Sequence, residues 1–104
     1  MEIEIIAQGR NMRYDAVGLY DGKGVTVLKG SKISSTVGKK VNPIVTKLRS
    51  QSDTVNSDFV LQRDVKFRSS STAASFITGS IVNGNRVWKL KDGTPLGNLH
   101  EELE

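Results

Sequence analysis

Two helix signals interrupt a chain that otherwise alternates like a β protein, and this interleaving constrains the fold more than any other feature. Asn42-Pro43 sets a capping side chain directly before a proline at the first helical position, where a missing N–H costs nothing. Ile44, Val45 and Leu48 follow at helical spacing, and Lys47 and Arg49 complement the negative end of the dipole, so the pattern predicts a short helix over 43–51. Ser69 is the second N-cap; Ala73, Ala74, Phe76 and Ile77 form an apolar stripe, and Gly79 is placed to end the helix left-handed. Before the first helix, residues 2–8 alternate, with Ile3 and Ile5 on one face and Glu2 and Glu4 on the other. Asn11 and Met12 break that pattern. An extended run from Tyr14 to Tyr20, the turn Asp21-Gly22 and the β-branched Val25 to Leu28 predict a hairpin from about Ala16 to Lys29.

Between the helices, Phe59 to Phe67 is expected to contain a strand. After the second, Asn83-Gly84 reads as a tight hairpin turn joining Ile81-Val82 to Arg86–Leu90, and Asp92-Gly93 as another turn. Strands, helix, strand, helix, strands is the order of an α+β fold: a small single domain, mainly antiparallel sheet with two short helices packed on it. At 104 residues there is room for one core. We place the domain at 1–100, followed by a tail at 101–104 whose last residues, Leu103-Glu104, resemble an expression scar.

Much chemistry is removed by subtraction. The chain has no Cys and one His, His100, so disulfides, thiol catalysis and the usual zinc sets are excluded. No phosphate-binding Gly-rich loop occurs; Gly22-Lys23-Gly24 is hairpin chemistry. Nothing nominates Asp15, Asp21 or Asp64 as a general acid or base. No cofactor is expected, and the expectation is a protein that is not an enzyme. Apolar runs are only a few residues long and the start does not read as a secretory signal, so we expect a cytoplasmic protein with no membrane partner; the sequence leaves the oligomeric state open, with a monomer favoured.

Charge is more informative by position than by sum. The net charge is +4, yet Glu101, Glu102 and Glu104 close the chain. From Gly22 to Ser52 the chain carries Lys23, Lys29, Lys32, Lys39, Lys40, Lys47 and Arg49 and no acid. A one-sign segment inside a folded domain points to an anionic partner; its plainer reading is a solvated surface.

The second half carries a recognisable order of landmarks: Phe67-Arg68-Ser69-Ser70-Ser71-Thr72-Ala73-Ala74, then Gly79, Asn83-Gly84, Trp88-Lys89, Asp92-Gly93 and Leu96. With Val25-Thr26-Val27-Leu28-Lys29-Gly30-Ser31 upstream, this resembles the domain of unknown function 4357 family over roughly residues 14–99. It is also similar in pattern to the restriction-enzyme adenine-methylase-associated domain, which has been proposed to read modified DNA. The resemblance implies an accessory role in DNA transactions beside GIY-YIG nucleases or restriction and methylase proteins, and supplies no catalytic residue. Ser70 departs from the pattern, standing where the family has Pro at the first helical position; Ser is tolerated there.

The candidate nucleic-acid contacts are therefore Lys29, Lys32, Lys39, Lys40, Lys47 and Arg49 for phosphates, with Lys66 and Arg68 beside the second helix. Ser69–Thr72 could hold an anion at a helix N-terminus or simply cap it. Trp88 could stack on a base or pack under the second helix. Two functions stand side by side. One is a module that binds double-stranded DNA, with a nuclease or methyltransferase chain as partner. The other is a protein-interaction or structural module with no nucleic-acid ligand. A small carboxylate hydrolase is a third, and needs a pocket of paired acids.

Overall fold

The computed structural model describes residues 2–98. His100 and the tail at 101–104, with its suspected scar, lie outside the described residues. Strands β1 (Ile3–Gln8), β2 (Asp15–Tyr20), β3 (Val25–Val27) and β4 (Val65–Phe67) form one antiparallel sheet in the order β1-β2-β3-β4. Helix α1 (Pro43–Arg49) precedes β4, and α2 (Ser70–Thr78) and α3 (Gly84–Val87) follow it. This is the expected α+β domain, with two short helical elements more than foreseen, α3 and a 3-10 turn at Arg10–Met12.

The alternation of the strands sets one face inward. Ile5 stands opposite Gly18, which pairs with Val27, which pairs with Val65. In the neighbouring row Tyr20, Val25 and Phe67 are in register and all buried. Between these rows Leu19, Thr26 and Lys66 pair across the opposite face, where each keeps some exposure. Because side chains alternate with period two, one register dictates both faces.

Helix α2 covers the inner face. Ala73, Ala74, Phe76 and Ile77 are each 0% exposed, and the small alanines let the helix lie close to the sheet. The Phe76 ring meets Phe67 with centroids 5.1 Å apart at 40°. Both caps form as the local sequence demands. The Asn42 side chain accepts from the Ile44 N–H at 3.1 Å, and Ser69 Oγ from the Thr72 N–H at 3.1 Å. Gly79 ends α2 at φ 76°, and a Cβ there would lie 1.9 Å from the Thr36 carbonyl oxygen.

Two expectations for the last third fail. Asn83-Gly84 is no hairpin turn: Asn83 caps α3, accepting from the Asn85 N–H at 3.0 Å, and Gly84 is the first residue of that helix. A Cβ on Gly84 would sit 2.2 Å from the Ser70 carbonyl carbon, so this glycine serves close helix approach rather than turn conformation. The strand foreseen at Arg86–Leu90 reduces to one residue, Lys89, which bridges Pro95 and exchanges two 2.8 Å hydrogen bonds with Ile6. The Asp92-Gly93 turn does form, with the Asp92 carboxylate accepting from the Thr94 N–H at 2.9 Å.

Candidate nucleic-acid interface

The acid-free segment does not become one face. Lys32 extends the sheet beyond β3 and bridges both Asp15 and Val60, whereas Lys66 pairs with Thr26 in the middle of the β3–β4 pair and Arg68 follows its opposite end. Lys29 sits between these ends, its N–H donating to Asp64 at 2.8 Å. Lys39 and Lys40 lie three and two residues before the α1 cap Asn42, and Lys47 is in the last turn of α1. All six of these named lysines, and Arg68, have exposed side chains.

Two of the expected contacts are corrected. Trp88 is 0% exposed, and its indole N–H donates to the Ser70 carbonyl at 3.2 Å, so the ring pins the start of α2 and has no face for a base. Arg49 turns inward. Its Nε donates to the Phe76 carbonyl at 3.0 Å and its Nη1 to the Ser34 carbonyl at 2.8 Å, tying α1 to α2 and to the connection after β3. Burial pushes its pKa down to about 10, which leaves the guanidinium protonated at neutral pH. Its Nη2 is, among the described residues, a buried side-chain nitrogen without a partner.

The hydroxyls at the start of α2 are likewise used internally. Ser69 caps, Ser70 donates to the Asn85 side chain at 3.2 Å, and Ser71 accepts from the Gly84 N–H at 3.1 Å. The run thus caps α2 through Ser69 and joins α2 to α3 through Ser70 and Ser71.

What the tertiary structure does assemble is a groove. A hollow of about 320 Å³ is lined by Asn42 and Ile44 of α1, Lys66, Phe67 and Arg68, and Thr72 of α2. Across Lys66–Arg68 it adjoins a second hollow of about 340 Å³, lined also by Asp21, Lys23 and Gly24 of the β2–β3 turn. Lys23, Lys66 and Arg68 thus share one groove, with Lys39 and Lys40 three and two residues before Asn42 of its wall. The acid in it is committed: Asp21 accepts from the Gly24 and Lys23 N–H groups at 2.8 and 3.0 Å and pairs with Lys66 at 3.5 Å. Those two backbone bonds, and then Lys66, hold the Asp21 carboxyl below the ordinary carboxylate range. Lys23 lines the groove although, as part of Asp-Gly-Lys-Gly, it reads in the sequence as turn chemistry alone.

Among the described residues no group of three or more acidic or imidazole side chains could hold a metal ion. No described helix is long and apolar enough to cross a membrane. Fold and surface together define a small α+β domain with a basic groove at one end of its sheet. The chain belongs to the family described as a domain of unknown function (DUF4357), which it matches over residues 6–100. Comparison with curated proteins and with solved structures finds no match.

Proposed function

We propose that this domain is a non-catalytic module that binds double-stranded DNA through its phosphates, beside a nuclease or methyltransferase chain in restriction or modification. One observation carries the reading: exposed cations from two separate stretches of chain, Lys23 and Lys66 with Arg68, line one groove, and the exposed Lys39 and Lys40 lie three and two residues before its Asn42 wall. Such contacts supply affinity and orientation without reading sequence. If these five cations meet phosphates, log K falls against log salt with a slope of about −4 to −5. Replacing Lys66 and Arg68 by Gln then flattens that slope by about 2. Fluorescence anisotropy with a labelled duplex over a salt series measures both; a slope unchanged by the double substitution, or no binding at about 50 mM salt, defeats the reading.

A second reading, a protein-interaction module, rests on a different surface. Val37 and Ile81 stand 44% and 70% exposed, one and two residues from Gly38 and Gly79, whose backbones are hydrogen-bonded to each other. It predicts partner binding that responds to Ile81→Ser and not to salt.

A further inference from the structure

A cleft of about 410 Å³ opens at the end of the sheet away from the basic groove, between the β1–β2 turn and the loop before β4. Asn11, Met12 and Arg13 line one side, Asp58 and Phe59 another, and Lys32 joins them from the chain beyond β3. Its volume is in the range of sites for small organic ligands.

Three independent features converge there. Asn11, Met12 and Phe59, at φ 55°, 57° and 61°, are the non-glycine residues of positive φ among the described residues, and all three line this cleft. Asn accepts that conformation readily; Met and Phe adopt it only under constraint. The constraint is visible: the Met12 N–H donates to the Gly9 carbonyl, the Phe59 N–H to the Asn56 carbonyl, and the Phe59 carbonyl accepts from the Ile33 N–H. Left-handed, non-glycine backbone concentrated at one cavity is a mark of ligand sites.

The second feature is charge. Arg13 and Lys32 are exposed, and neither side chain has a hydrogen-bond or ion-pair partner among the described residues. Asp58 lines the same cleft without pairing with either, leaving a lining of net charge +1. The third is the apolar contribution: Met12 is 51% exposed, and Phe59 is only partly buried against the core. A polarizable thioether and an aromatic side chain are surfaces on which a flat ring packs.

We propose that this cleft binds a nucleoside monophosphate unit. The single phosphate meets Arg13 and Lys32, the base lies against Met12 and Phe59, and Asn11 and Asp58 offer an amide and an acceptor to the base edge. One phosphate matches two cations beside one carboxylate; a triphosphate would place excess negative charge against Asp58. The unit can come from a free nucleotide or from an unpaired nucleotide of a strand. The site goes beyond the duplex reading and shares with it no groove residue.

Amide-shift titration tests it with dAMP, deoxyadenosine and inorganic phosphate as separate probes. The expected result is that dAMP moves the amides of residues 11–13, 32 and 58–59, and that each fragment binds at least about tenfold more weakly. Arg13→Gln, at an exposed side chain, weakens dAMP about tenfold without moving the urea midpoint, while replacing Lys66 and Arg68 by Gln leaves dAMP binding unchanged. A four-nucleotide deoxyadenylate strand that moves the same amides assigns the source to a strand; response to dAMP alone assigns it to free nucleotide, and either supports the site. Phosphate binding as tightly as dAMP, shifts elsewhere, or none at about 10 mM dAMP overturns it.

Discussion

The junction of α2, α3 and Trp88 and the cleft beyond β3 are built on opposite principles. At the junction Trp88, Ser70, Ser71 and Asn85 find partners within the protein, and Gly84 has no room for a Cβ. At the cleft the Arg13 and Lys32 side chains have no partner among the described residues, and Met12 and Phe59 hold a backbone conformation that their side chains disfavour. Packing explains the first region completely. It does not explain the second, where departures from local preference gather around an open space, as at sites shaped for something other than stability.

The largest test of this contrast is Trp88→Ala. Losing a fully buried indole and its bond to Ser70 should cost about 3–5 kcal/mol in urea unfolding, and a cost under about 1 kcal/mol would remove Trp88 from the core. Met12→Gly should go the other way. Relief of the left-handed strain exceeds the extra freedom glycine has when unfolded, for a gain of about 0.5 kcal/mol, while dAMP binding weakens. Loss of stability there would mean that Met12 is held by packing after all, and that the two regions are alike.

The smallest effect is on pH. Asp21 and Asp92 are both held below the ordinary carboxylate range, chiefly by turn N–H groups: Gly24 and Lys23 for Asp21, Thr94 for Asp92. A carboxyl whose folded-state pKa is depressed stabilises fully above its unfolded value and loses that contribution as pH falls through the folded value. The urea midpoint should therefore be flat above about pH 5 and decline below about pH 4, with a shallower decline in a variant carrying Asp21→Asn and Asp92→Asn. An equal decline in both proteins would assign acid lability to other groups.

What could be read from the chain follows from the range of the forces involved. The Ser69 and Gly79 caps join residues at most four apart, so their spacing is written in the sequence. The failures have the same cause reversed. Asn83-Gly84 satisfies a turn rule and a capping rule equally, and only the approach of Ser70, fourteen residues earlier, decides for the helix. Lys47 and Arg49 look alike in a basic helix end, yet one is exposed and the other reaches carbonyls of Ser34 and Phe76.

By itself the sequence determined the α+β class, the two main helices with their caps, the hairpin at Asp21, the family, and the absence of cysteine chemistry, all properties of composition or of neighbours along the chain. Tertiary structure alone decided that Trp88 and Arg49 face inward, that the acid-free run divides between two ends of the sheet, and that Lys23 joins Lys66 and Arg68 in one groove. It also brought Met12, Lys32 and Phe59 around one cleft. The physical reason is that these positions depend on strand pairing across tens of residues, where no local preference records which side chains will meet.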